Sequence, residues 1–214
     1  MLIVDLDDTI FKTSSMNPKI FDSAIEVIVN YYIKSEKRVL KEIVNALWEK
    51  PIDVVFHSYG TPTEIQKEFY AEISQIEYSE LKIEPFADYT VLKEIDMDQV
   101  LVTTGLLELQ NAKINALGIR DDFKQVLIDD PRTKPRIDKY QLFRQILGSS
   151  KLKANEIWVI GDNPDSEIKA ASKLGINTIQ RRSESKMKSD LADYYIESFN
   201  ELPKLLNLGL ETHR

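Results

Sequence analysis

The sequence predicts an α/β protein, a doubly wound parallel sheet whose chain is interrupted after the first strand by an all-helical insertion. Three observations carry this. Met1 to Leu6 is an apolar run with no polar alternation, the pattern of a parallel strand covered on both faces. From about Asn17 to Leu81 the apolar spacing is helical. After Pro85, strand, turn and helix alternate, as they do where crossover helices join parallel strands.

The first strand is short and runs into VDLDDTIF, Val4 to Phe11, with three carboxylates in four positions. In the insertion Phe21, Ile25, Ile28 and Tyr32 recur at helical intervals, and Val39, Leu40, Ile43, Val44 and Leu47 form a second stripe. Thr61-Pro62-Thr63-Glu64 predicts a capping box, with the Thr61 hydroxyl at the N-cap of a helix carrying Ile65, Phe69, Ile73 and Ile76. The aromatic stripe Phe21, Tyr31, Tyr32 and Trp48 reads as the insertion's own core. VLVTT (100–104), QVLID (125–129), IWVIGD (157–162) and NTIQ (177–180) are the later strands, with YYI (194–196) as a further edge. ALGI and KLGI end two helices on a glycine cap, and the polar stretch Ser183 to Asp190 reads as a surface loop. The expected division is a core domain of residues 1–14 and 86–214 and a helical cap of residues 15–85, with hinges near Lys12 to Pro18 and Glu84 to Asp88.

Composition narrows the function. At 214 residues and 43% hydrophobic content the chain can bury a real core. A net charge of -7 argues against a sequence-blind grip on nucleic acid or an anionic membrane, because both depend on clustered Lys and Arg. With no cysteine, thiolate metal sites and Cys nucleophiles are excluded. Asp5, Asp7 and Asp8 interrupt the one apolar stretch near the N-terminus, and no run is long enough to span a bilayer, so the expectation is a soluble, cytoplasmic protein whose partner is a small molecule or another protein.

The carboxylates demand an explanation, since charged groups beside a core are normally paired or hold a metal. Asp5 and Asp7 are two residues apart, so in an extended chain both lean to one side. Taken alone, the triplet is equally well read as a loop cap. In this register Asp5, Thr103, Asp129 and Asp162 all fall at strand carboxyl ends, where open α/β sheets bind ligands.

In combination these segments resemble the haloacid dehalogenase-like superfamily. Its opening signature, Asp-x-Asp-x followed by Thr or Val, matches Asp5, Asp7 and Thr9; its strand-closing Thr or Ser matches Thr103, with Thr104 as the register alternative. Its lysine ahead of a helix, often as Lys-Pro, matches Lys134-Pro135, and its acidic pair matches Asp162 with Glu167. The second acid of that pair is most often Asp, and here Asp165 stands two residues before Glu167.

The resemblance implies a Rossmann-like core, a helical cap closing over the site, and Mg²⁺-dependent hydrolysis of a small phosphomonoester. Asp5 would attack phosphorus and form an aspartyl-phosphate, and Asp7 would protonate the leaving oxygen and then take a proton from water. Asp5, the Asp7 backbone carbonyl and Asp162 would hold the ion, with Glu167 behind them and Asp165 as a further candidate. Thr103, or Thr104, and Lys134 would bind the phosphoryl group. Oxygen ligands without Cys or a nearby His favour Mg²⁺ over zinc.

Three rivals share these motifs in part. A dehalogenase dispenses with the metal and with the second Asp, so Asp7 and the acidic pair speak against it. A phosphomutase would use the same residues on a sugar phosphate. A phosphate-dependent binding or regulatory protein would have lost turnover. Substrate choice stays open, because phosphoglycolate phosphatase-like and nucleotidase-like relatives share the same opening.

The remaining polar residues read as ordinary. Asp8 caps the turn or accepts backbone donors, and Asp129 and Asp130 are turn or supporting residues. His57 could touch substrate and Tyr59, Lys12 and Arg136 could face the crevice, yet surface or packing roles are the simpler reading for each.

Overall fold

The computed structural model describes residues 1–183 and 186–211, so Glu184 and Ser185 of the expected surface loop lie outside the described residues. Among these residues the sheet strands are β1 (Leu2–Val4), β2 (Gln99–Thr104), β3 (Gln125–Asp129), β4 (Trp158–Gly161), β5 (Asn177–Arg181) and β6 (Tyr194–Ile196). The helices are α1 (Asp22–Ser35), α2 (Leu40–Glu49), α3 (Ile52–Ser58), α4 (Thr63–Ser74), α5 (Tyr89–Glu94), α6 (Leu107–Leu117), α7 (Lys139–Ser149), α8 (Lys169–Ser172) and α9 (Leu202–Glu211). The strand order is β3-β2-β1-β4-β5-β6, and every pairing is parallel.

Both faces of the sheet are covered, which is why its strands lack polar alternation. Leu2, Val4, Leu101, Trp158 and Ile160 point to one side and pack with Ile114, Phe199 and Leu202. Ile3, Val100, Val102 and Val159 point to the other, against Leu142, Phe143, Ile146 and Ala171. This is the period of two expected of a strand, and each such fully buried side chain contributes about 1.5–3 kcal/mol. Gly118 and Gly175 stand at positive φ after α6 and α8, as the ALGI and KLGI endings predict.

Helices α1–α4 bury a separate cluster, with Ala24, Ile28, Tyr32, Ile43, Val55, Phe56, Phe69 and Ile73 inside and Leu106, just before α6, packed against it. Phe21 and Tyr32 are buried there, but Trp48 is 42% exposed and does not belong to that interior. The expected capping box of α4 does not form. Its N-cap is Pro62 without a side-chain bond, because the Thr61 hydroxyl is buried and 2.8 Å from the Tyr32 hydroxyl. A tertiary partner has outcompeted the local cap.

β1 is the strand at which the order of connection reverses, with β2 on one side and β4 on the other. Val4 pairs with Leu101 and with Ile160, so Asp5 follows at the carboxyl end of β1, between β2 and β4. Ligands in open sheets bind at that switch point.

Candidate active site

A cleft of about 1290 Å³ lies over the carboxyl ends of the strands, between them and the helical layer. Its floor holds Asp5, Asp7, Thr103, Thr104, Lys139, Asp162 and Glu167. Asp5 extends β1 by one more bond, its N–H donating to the Ile160 carbonyl at 2.9 Å. Asp162 follows the last residue of β4, and a π-type turn over Pro164–Ile168 then swings Glu167 back beneath it. Ligand oxygens of Asp5, Asp162 and Glu167 lie within 4.8 Å of one another, and all three residues are buried.

Gly161 makes that convergence possible. A Cβ at this position would lie 2.3 Å from Cγ of Glu167, so any larger residue would evict the carboxylate from its place. Glu167 is held at both oxygens, by the Asn163 N–H at 2.6 Å and the Lys139 ammonium at 2.8 Å.

The lysine beside the acids is Lys139, and its Nζ donates to Asp5 Oδ1 at 2.6 Å. Lys134, the sequence candidate, is exposed and does not line the cleft. The physical reason is helix placement. α7 does not start behind Lys134-Pro135 but behind Asp138, whose side chain accepts from the Gln141 N–H while Gln141 reaches back to the Asp138 N–H. Lys139 is then the first helical residue, and the backward tilt of its side chain aims the ammonium at the strand ends. The Asp138-x-x-Gln141 capping pattern was present in the sequence and marks this start.

Burial pushes the Asp5 carboxyl up; Lys139 opposes that and Glu167 adds to it, leaving Asp5 at about 7. Asp162 rises to about 8, again through burial first and then repulsion from Glu167 and Asp5. Burial works against the Lys139 ammonium, yet the two carboxylates outweigh it and hold its pKa above the ordinary value. Three acids thus face one cation. Asp162 Oδ2 is buried with no hydrogen-bond partner, a group that costs free energy unless something positive meets it.

Asp7 sits to one side, held by residues that pattern reading did not single out. Its Oδ1 accepts from Lys113 Nζ at 2.7 Å and its Oδ2 from Gln110 Nε2 at 2.8 Å. Gln110 and Lys113 are buried on the same face of α6 as Ile114 and Leu117. Polar residues on a buried helical stripe were the available signal. Gln110 Nε2 also donates to Thr103 Oγ1 at 2.5 Å, which leaves the Thr103 O–H to donate elsewhere. The Thr104 hydroxyl instead donates to Asp129 at 2.9 Å.

Other candidates separate clearly. Asp165 is exposed at the cleft edge and only its backbone is engaged, by the Asn163 side chain. Asp8 accepts from the Thr13 N–H at 2.9 Å and stands at φ 53. His57 is exposed and does not line the cleft, and the Tyr59 carbonyl accepts from Tyr32. Arg136 departs from its surface reading: it lies in the cleft wall, bonded to Asp129 and to Asp53. Asp130 binds Arg132, which also reaches Glu108.

Oxygen donors alone, a surplus of buried negative charge and an unpartnered carboxylate oxygen fit a hard divalent cation such as Mg²⁺. No described helix is long and apolar enough to cross a membrane.

Comparison with known proteins gives a consistent result. A glyceraldehyde 3-phosphate phosphatase of Methanopyrus kandleri is 22% identical over 224 aligned residues, with 94% of each chain covered. A protein of the same name from Methanocaldococcus jannaschii is 25% identical over 220, again with 94% of each covered. The magnesium-bound structure of a HAD-hydrolase from Bacillus subtilis superposes with a TM-score of 0.60 at 17% identity, covering 96% of this chain and 97% of that one. The family model for haloacid dehalogenase-like hydrolases matches residues 2–180. With most of its length matched, the chain belongs to the haloacid dehalogenase-like hydrolase family.

Proposed function

We propose that the chain is a Mg²⁺-dependent phosphatase that hydrolyses a small phosphomonoester through a phosphorylated Asp5. The observation that carries this reading is the meeting of Asp5, Asp162, Glu167 and Lys139 in one buried site at the switch point of the sheet. The naming of both curated relatives as phosphatases supports the reaction class, and glyceraldehyde 3-phosphate is the first substrate to try.

Asp5, the Asp7 carbonyl and Asp162 are the proposed ligands, while Glu167, occupied at both oxygens, holds the loop and Lys139 in place. The ion supplies Lewis acidity toward a phosphoryl oxygen and cancels the repulsion between that group and the acids. Asp5 attacks phosphorus in line; the ester P–O bond breaks as the Asp5 O–P bond forms, and the leaving oxygen takes a proton from Asp7. Asp7 then accepts a proton from the water that cleaves the acyl-phosphate, releasing inorganic phosphate and restoring the Asp5 carboxylate. Lys113 and Gln110 hold the Asp7 side chain at the edge of the site, and an Asp7 oxygen must be released from one of them to carry a proton. Thr103 and Lys139 donate toward the transferring group, the role the sequence reading gave to Lys134.

The helical layer serves as the cap: its α2–α3 corner, with Trp48, Lys50, Pro51, Ile52 and Val54, lines the cleft above the strand ends. A screen of phosphorylated metabolites with Mg²⁺ and with chelator tests the proposal. Turnover disappears in chelator and falls about 10⁴-fold or more in Asp5→Asn. Full activity of Asp5→Asn removes the nucleophile from Asp5.

A further inference from the structure

The proposed chemistry does not use Arg136, yet every nitrogen of its guanidinium is engaged. Nε and Nη2 donate to the two oxygens of Asp129 at 2.9 and 2.8 Å. Nη1 donates to both oxygens of Asp53 at 2.7 and 2.6 Å. Asp129 ends β3 in the sheet, whereas Asp53 belongs to the first turn of α3 in the helical layer. One planar cation therefore bridges the two halves of the cleft, in the fork geometry that a lysine cannot reproduce.

The two ends of the bridge differ. The Asp129 side chain is 1% exposed and also accepts from Thr104, so its partner cannot leave without stranding a buried charge. Asp53 is 32% exposed, which makes it the end that salt can weaken and motion can release. Its neighbour Val54, 42% exposed, lines the cleft on the same corner as Trp48. Arg136 also stands three residues before Lys139, whose ammonium touches Asp5.

We infer that Asp53 and Arg136 are positioning residues: Arg136, anchored to the sheet by Asp129, seats the α2–α3 corner at a fixed height over Asp5. This rests on the reading of the helical layer as a substrate-facing cap. Neither residue touches the reacting atoms. Substrate is thereby met by a wall already in place, and loss of the Asp53 contact lets the wall drift and weakens binding more than it slows chemistry.

Because the chain contains no cysteine, two engineered ones can carry spin labels without side reactions. Glu68→Cys on α4 and Lys151→Cys after α7 are both exposed in the parent chain. In substrate-free protein a pulsed spin-resonance measurement should give one narrow distance. Asp53→Ala and Arg136→Lys should broaden or lengthen it, and Asp53→Glu should keep it narrow. In steady-state assays Asp53→Ala should raise KM about fivefold with kcat within about twofold. High NaCl should raise the KM of the parent more than that of Asp53→Ala. An unchanged distance in Asp53→Ala, with helix content intact, overturns the inference; so does a fall in kcat with KM constant. The distance needs no turnover, so failure of the phosphatase reading is seen separately as absence of phosphate release.

Discussion

The floor of the cleft carries Asp5, Asp162, Glu167 and Lys139, all buried, with Lys139 bonded to both Asp5 and Glu167, whereas its roof presents the apolar side chains of Trp48 and Val54, each 42% exposed. The difference lies in how strongly each region constrains its ligand. Buried charge is directional and expensive to leave unmatched, so the floor admits few occupants. Apolar contact is non-directional, and a roof of this kind accepts many leaving groups of suitable size. On the proposed reading, reaction class is written in the floor and substrate preference in the roof.

Exchange of the two lysines is the largest test of that contrast. Lys139→Met should lower kcat/KM by roughly 10²–10³-fold and destabilise the fold by about 3–5 kcal/mol, because two buried carboxylates lose their partner. Lys134→Met, on an exposed residue outside the cleft, should change either quantity little. Equal effects of the two would dissolve the distinction between a constrained floor and its surroundings.

The roof should respond more mildly. Trp48→Ala removes an apolar wall without touching the acids, and a KM about tenfold higher with kcat nearly constant is the expected pattern. Comparison of glyceraldehyde 3-phosphate with bulkier, more apolar phosphomonoesters shows whether the loss grows with leaving-group size. A fall in kcat alone would place Trp48 with the chemistry instead.

The smallest effect is on thermal stability, and its sign follows from the carboxyls. Asp5 and Asp162 rise in the fold from 3.8 to about 7 and about 8, so between those limits the folded chain binds more protons than the unfolded one. Their contribution is greatest below the unfolded value and is lost as pH climbs through about 7 and 8. In chelator, Tm should drop on the order of 5 °C across that climb. Mg²⁺ should raise Tm more at the alkaline end, where it meets ionised carboxylates without displacing protons. A Tm that rises with pH in chelator would contradict this account of the floor.

Legibility in the sequence tracks the range of the interactions. The apolar β1, the βα alternation and the helical insertion were readable because period and punctuation are local, and Asp5, Thr103 and Asp162 followed from their places at strand ends. Lys139 was missed because a Lys-Pro pair five residues earlier fitted the family pattern, while the Asp138 to Gln141 cap that fixes the helix start went unused. Thr61 left its predicted cap for Tyr32, and Arg136 found Asp53 across 83 residues. Such pairings depend on which elements meet in space, and no local period announces them.

The most direct measurement is acid-quenched trapping of the enzyme during turnover with Mg²⁺ and a phosphomonoester, followed by peptide mass mapping. One phosphoryl group on the peptide containing Asp5, absent in chelator and in Asp5→Asn, is the predicted result. Phosphate release at full rate with that peptide unmodified in rapid-quench samples, or a phosphoryl group on another residue, would contradict it.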